Sequence, residues 1–247
     1  MKKILFTTLL ASSALMIFAK PANAEEIGKE QTDLGIRFDT DGPVKPGSGP
    51  FKDNLALVWT PSKFDFGRQS ATANIATYSN TVAGDQYIVV NDDRQTAETG
   101  GEHGGEGEQT RAATTSAWKV TASLSKLVSK DDSATELPSK LTFTLGDPQS
   151  YDIGEVDPDI NDFSPSVPGA GNLGKLDDPN NIVVGKNVVL EAGNTTATNI
   201  LAKTKADSVK GGFATKLTDT KLTVTTGTGA AGKAFKGSVT WSLDNTY

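Results

Sequence analysis

The chain has 247 residues, enough for one sizeable domain or two small ones, with no cysteine and one histidine. Its 24 Lys and Arg residues against 30 Asp and Glu residues give a formal net charge of −6. Without cysteine no disulfide framework is possible, and one histidine excludes the usual His/Cys zinc sites. The acidic balance argues against nucleic acid or an anionic membrane as a partner.

The N-terminal segment has the pattern of a secretory signal peptide. Lys2 and Lys3 precede a mostly apolar run over residues 4–18, and Ala22-Asn23-Ala24 forms a small-residue cleavage site. We therefore expect residues 1–24 to be removed, and with them three lysines, which leaves 21 basic against 30 acidic residues and a net charge of −9. No later run is long and apolar enough to cross a bilayer. The sequence predicts a secreted, extracellular protein with no membrane span.

Residues 25–50 are charged and then rich in Gly and Pro, which predicts an exposed lead-in before a domain over residues 51–247. The domain contains short runs in which apolar and polar residues alternate, as in strands with one buried face. One weak helical pattern lies around Thr195–Asp207. The predicted strands are Leu55–Trp59, Tyr87–Val90, Ala117–Leu124, Leu141–Leu145, Ile182–Leu190 with a break at Gly185, Lys221–Thr225 and Ser238–Leu243.

Two long polar segments separate these strands. Gln95–Ser116 is acidic and rich in glycine, and we expect a mobile loop because it has little apolar surface to bury. Gly146–Asn181 is rich in Asp, Pro and Gly and is predicted to be a long surface connection. Many short strands in a chain of this length indicate an all-β fold, an antiparallel β-sandwich or barrel-like domain with long surface loops.

The residues offer little catalytic chemistry. His103 lies inside the acidic loop without a rigid setting, which argues against a Ser-His-Asp triad. Asp157–Asp162 spaces carboxylates as a calcium loop does, but the sixth position is Asp162 where such a loop needs glycine. Carboxylate pairs for glycoside hydrolysis depend on three-dimensional spacing and stay an open alternative. The prediction is a protein that is not an enzyme, with no catalytic residue, metal site or cofactor.

Trp118 and Trp241 each lie on an alternating strand. Their same-face neighbours, among them Val120 and Leu243, are apolar. Aromatic residues in such a register are more often core than ligand platforms, so we expect both tryptophans to be core.

The same two stretches carry a resemblance. Trp118-Lys119-Val120 and Trp241-Ser242-Leu243 resemble the paired Trp-x-Leu motifs of the WxL domain, a family of surface proteins of low-GC Gram-positive bacteria, with Val120 where leucine is usual. Residues 61–69, 87–94 and 222–243 are similar to segments that flank these motifs. The resemblance implies non-covalent attachment to the cell wall, with peptidoglycan as the receptor. Its signature residues here are Trp118, Val120, Trp241 and Leu243.

The resemblance also implies partners. Small WxL proteins are thought to act in multi-component cell-surface complexes with other surface proteins. "LPSK" at Leu137–Lys140 lacks the Thr-Gly of a sortase signal, so we expect no covalent anchor. An alternative stays open, in which the domain is a protein-interaction module that binds a partner surface protein and touches the wall only indirectly.

Overall fold

The computed structural model describes residues 26–34, 43–70, 74–94, 115–177 and 179–245. The predicted signal peptide and most of the acidic segment 95–116, with His103, lie outside these residues. The strands of the described residues, in chain order, are β1 (Glu26–Leu34), β2 (Val44–Pro46), β3 (Leu55–Pro61), β4 (Lys63–Phe64), β5 (Ile75–Ser79), β6 (Gln86–Asp92), β7 (Trp118–Leu124), β8 (Leu127–Ser129), β9 (Glu136–Leu137), β10 (Ser139–Leu145), β11 (Gln149–Tyr151), β12 (Val156–Asp157), β13 (Asp162–Phe163), β14 (Leu173–Lys175), β15 (Ile182–Val184), β16 (Asn187–Glu191), β17 (Thr198–Lys203), β18 (Gly211–Thr225) and β19 (Phe235–Asp244).

These strands form two large sheets and one small hairpin. The first sheet has eight strands in the order β15-β17-β7-β19-β1-β4, with β8 beside β19 and β9 beside β8. The second has nine strands in the order β14-β11-β18-β6-β3-β2, with β10 and β5 beside the long strand β18 and β16 beside β10. Strands β12 and β13 pair only with each other. Nearly all pairing is antiparallel, so the predicted all-β, sandwich-like fold is confirmed.

The main core lies between the two sheets. Alternate residues of β7, β10 and β19 point into it, which is why their burial patterns repeat every second residue. The largest side chains of this core have no exposed surface: they include Trp118, Trp241 and Phe64. Burial of this continuous apolar layer is the main stabilising term of the fold.

A second apolar cluster covers part of the opposite face of the nine-stranded sheet. Trp59 and Tyr151 lie in it, and the indole Nε1 of Trp59 donates a hydrogen bond of 3.0 Å to the hydroxyl of Tyr151. Strands β3 and β6 are therefore buried on both faces and along their whole length. The segment after β11 packs on this cluster through Ile153 and Phe163 and adds a third layer to this part of the sandwich.

Three predicted elements differ in the structure. Two stretches of the predicted lead-in are strands, because β1 pairs with β19 and β2 pairs with β3. The weak helix around Thr195–Asp207 is wrong, since strand β17 occupies Thr198–Lys203 between β7 and β15. The predicted connection over residues 146–181 contains four short strands, β11 to β14. The domain boundary at residue 51 stays a prediction.

No helix among the described residues has the length and apolar character needed to cross a membrane.

Candidate functional site

The two motif strands lie side by side in the eight-stranded sheet. Strand β19 pairs antiparallel with β7, so that Trp241 lies opposite Ala122 and Leu243 lies opposite Val120. The two halves of the motif, about 120 residues apart in sequence, therefore form one continuous piece of sheet.

All four motif residues point into the core. The side chains of Trp118, Val120, Trp241 and Leu243 are each 0% exposed. The predicted core position of both tryptophans is confirmed, and in this structure neither ring can reach a ligand.

The tryptophans connect the two sheets. The ring of Trp118 lies 5.7 Å from the ring of Phe213 on β18, and that of Trp241 lies 6.1 Å from the ring of Phe143 on β10. Both pairs have tilted rings, an arrangement that adds about 0.5–1.5 kcal/mol to the burial of apolar area. No described group accepts a hydrogen bond from Trp118 Nε1, so this side chain is held by its apolar surface. The motif tryptophans stabilise the sandwich at its centre.

The solvent side of the same two strands carries the residues between the motif positions. Because side chains alternate along a strand, burial of Trp118 and Val120 turns Lys119 outward. Across the pair, Ser242 lies opposite Thr121 and Thr240 lies opposite Ser123. These residues define a surface that we call the hydroxyl face: Lys119, Thr121, Ser123, Thr240, Ser242 and Asp244.

The hydroxyl face is only partly exposed. Its residues are half-buried except Thr121, which is 8% exposed, and the register places Lys119 opposite Asp244. Each hydroxyl can both donate and accept a hydrogen bond, and the ammonium group of Lys119 can only donate. Such a surface can bind polar groups such as sugar hydroxyls and acetamido groups.

A second polar centre surrounds Lys203, whose side chain is fully buried. Its ammonium nitrogen lies 2.5 Å from Thr115 Oγ1, 2.6 Å from the carbonyl oxygen of Val209 and 3.0 Å from Asp207 Oδ1. Asn181 in turn donates a hydrogen bond to the second oxygen of the Asp207 carboxylate. A buried charge needs such compensation by nearby polar groups. Because these groups come from Thr115 and from the turn after β17, the centre holds the two parts of the backbone together.

Close by, Arg94 fixes the other end of the acidic segment. Its guanidinium forms two hydrogen bonds of 2.8 Å with the fully buried carboxylate of Asp92, and it also contacts Ser116. The described residues on either side of the segment 95–114 are therefore joined to each other. The bidentate geometry has the form of a strong structural ion pair.

The predicted calcium-like stretch has a structural role instead. The carboxylate of Asp162 accepts hydrogen bonds from the backbone N–H groups of Phe51, Lys52 and Phe163. Partial burial raises the pKa of Asp162, but these donors outweigh it and hold that pKa below its ordinary value. Asp162 thus ties the third layer to the loop before β3.

Within the described ranges, no group of three or more His, Cys, Asp or Glu residues is arranged so that it could hold a metal ion. The connections made by Lys203, Arg94 and Asp162 were not identified from the sequence. Each joins residues far apart in the chain, and no local pattern marks them.

Comparison of the chain with protein-family models, with curated proteins and with solved structures finds no match. The fold defines the class of protein as an all-β sandwich, and the two motif strands are neighbours in one of its sheets.

Proposed function

We propose that this protein is a non-enzymatic, extracellular surface protein that attaches non-covalently to the bacterial cell wall, with peptidoglycan as its receptor. One observation carries the proposal: the two Trp-x-[Leu/Val] stretches that resemble the WxL motifs form adjacent strands in one register. If the two tripeptides resembled the motifs only by chance, there would be no reason for their strands to be neighbours in the sheet. The signal-peptide pattern of residues 1–24 supports the same proposal.

The hydroxyl face is the part of the motif strands that can contact the wall. The motif tryptophans are buried, and we therefore assign contact with the wall to the residues between and beside them. Serine and threonine hydroxyls suit the hydrogen-bonding groups of a glycan, and Lys119 suits the carboxylates of peptidoglycan stem peptides. Because the mature chain is acidic, binding would depend on these local groups rather than on net charge.

The test is sedimentation of the purified mature protein with isolated cell walls. We expect the unaltered protein to sediment and the double variant Ser123→Glu/Ser242→Glu to stay in the supernatant, because two carboxylates would obstruct the hydroxyl face. No sedimentation of the unaltered protein above an unrelated secreted protein would contradict the proposal.

The matched control is Thr142→Glu/Thr144→Glu on strand β10 of the nine-stranded sheet. These threonines are also half-buried and point outward from their strand, and the variant has the same net charge. It should sediment like the unaltered protein. Equal loss of binding in both variants would show that charge, not the hydroxyl face, controls attachment, and would contradict this assignment.

A protein-interaction module is the second candidate. The observation that favours it is the unprotected edge strand β5, which is argued below. In that case the mature protein binds bare peptidoglycan weakly and reaches the wall through a partner. Sedimentation with walls stripped of protein, compared with untreated walls, separates the two candidates.

A further inference from the structure

The strands at the ends of the two sheets differ in how they are protected. A free strand edge exposes unpaired backbone groups, and natural proteins guard it with charges, proline or short length. In this protein β15 is short, with three residues, and most other edge strands carry a charge or a proline. The guarding residues are Lys45 and Pro46 of β2, Lys63 of β4, Glu136 of β9, Lys175 of β14 and Glu191 of β16.

Strand β5 is the exception. Its sequence, Ile-Ala-Thr-Tyr-Ser, contains five residues with no charge, proline or glycine. It pairs with β18 on one side over Ile75 to Ser79. Within the described part of the chain, no backbone hydrogen bond joins these five residues to any other strand. Ile75 at its start is 70% exposed, more than any other large apolar residue described.

The strand is also held rigidly. Ala76 and Tyr78 pack on the main core, while Thr77 forms a hydroxyl–hydroxyl hydrogen bond of 2.9 Å with Thr223 on β18. Beyond its end, the side chain of Asn80 accepts from the backbone N–H of Asp65 and donates to Gln86. A rigid edge loses little conformational entropy when another strand binds to it.

We propose that β5 binds an extended, uncharged segment of a partner protein, which adds to the nine-stranded sheet as a further strand. In such a complex the backbone supplies the affinity and alternate side chains supply the specificity. The partner residues beside Ala76 and Tyr78 extend the apolar core, and those beside Ile75 and Thr77 extend the outer surface. The segment therefore alternates aliphatic residues with threonine or serine, and a β-branched residue packs against Ile75.

The size of this edge favours a partner segment over a second copy of the chain. Five residues span about 17 Å, and a sheet layer is about 10 Å thick, so each side buries on the order of 200 Å². A stable interface between two folded proteins buries at least about 1,200 Å² in total. A short strand from a protein held nearby on the same surface needs far less area, because tethering raises its effective concentration.

The test uses the mature protein and an uncharged synthetic probe, acetyl-Gln-Thr-Val-Thr-Val-Thr-Gln-amide, with nuclear magnetic resonance as the readout. We expect the amide signals of residues 75–79 and 221–225 to shift, and hydrogen exchange in β5 to slow. The same peptide with proline at its central threonine should not bind, because it lacks a backbone donor. Absence of shifts, or shifts located elsewhere, would overturn the proposal.

Two variants make the test specific. Ile75→Lys should weaken probe binding by about tenfold or more, because a charge on the edge opposes strand addition. Val189→Lys is the matched control on β16, where the valine is 46% exposed, and should bind the probe unchanged. If the mature protein is a dimer that Ile75→Lys converts to monomer, the occupant is a second copy and the partner proposal fails. The Ile75→Lys variant should sediment with cell walls like the unaltered protein. A negative result in the peptide-binding experiment therefore leaves the proposed function intact.

Discussion

The substitution Trp241→Ala separates a structural role of the motif from a role in binding. Trp241 is 0% exposed at the centre of the sandwich and packs against Phe143 from the other sheet. A buried aromatic side chain covers about 150–250 Å² of surface, and removal of that area from water is worth about 25 cal/mol per Å². Because alanine retains part of this area and a cavity is left, we expect a loss of about 3–5 kcal/mol in the free energy of unfolding.

Urea denaturation of the chain without residues 1–24, followed by far-ultraviolet circular dichroism, measures this loss. Circular dichroism is preferable to tryptophan fluorescence because the substitution removes one of the three fluorophores. Ser242→Ala is the matched control, one residue further along the same strand and on the outer side. Its effect on stability should lie within about 0.5 kcal/mol.

A third variant tests whether packing is the cause. Trp241→Phe keeps an aromatic ring beside Phe143 and should recover a large part of the loss. The reasoning would be refuted if Trp241→Ala unfolded at the same urea concentration as the unaltered protein while wall binding disappeared. That result would mean that the indole ring reaches the ligand in solution.

Three further predictions follow from the buried connections and from the final strand. Lys203→Ala should cost about 3–5 kcal/mol by urea denaturation, because it leaves buried oxygen atoms without their cation, whereas Lys205→Ala on the exposed turn should have little effect. Asp162→Asn should cost about 1–2 kcal/mol near pH 6, since hydrogen bonds to a charged acceptor are the stronger ones. The pKa of Asp162 is lowered on folding from an ordinary 3.8, so its contribution is complete above that value and disappears as the pH falls through the lower folded-state pKa. The denaturation curves of the two proteins should therefore begin to converge as the pH falls below about 4, and the difference should shrink further as the pH passes the lower folded-state pKa. Removal of residues 238–247 should abolish folding by circular dichroism, because β1 and β7 both pair with β19.

The sequence predicted the strands in which one face is buried. In β7, β10 and β19 apolar side chains alternate with Ser, Thr or Lys, and this alternation is a direct consequence of one buried and one solvated face. The position of both motif tryptophans in the core followed from the same pattern.

Strand β17 was not predicted from the sequence, and the reason is physical. Ile200 to Lys203 are four consecutive buried residues, so the alternation is lost. A register shift between Asn199 and Leu201, where β17 pairs with β7, breaks the period further. With no period of two, a stretch of good helix formers such as Leu201 and Ala202 gave a false helical pattern.

Strand β1 shows a different limit. Its sequence, Glu-Ile-Gly-Lys-Glu-Gln-Thr-Asp-Leu, is mostly polar and has no amphipathic period. It forms a strand because β19 supplies a backbone ladder from Leu34 to Glu26, which is a tertiary contact between the two ends of the described chain. Local propensity is a weak guide where pairing decides the structure.

The geometry of a strand also decides which residues of the motif can bind. In a Trp-x-Leu stretch with period two, burial of the first and third side chains forces the middle one to the opposite face. Lys119 and Ser242 are those middle residues, and the pairing of β7 with β19 places them on one surface. Substitutions at Trp118, Val120 or Leu243 should therefore reduce stability and lower wall binding only through unfolding. Substitutions at Lys119 or Ser242 should leave the melting temperature nearly unchanged and alter wall binding, so the two sets of variants together test the hydroxyl face independently of the fold.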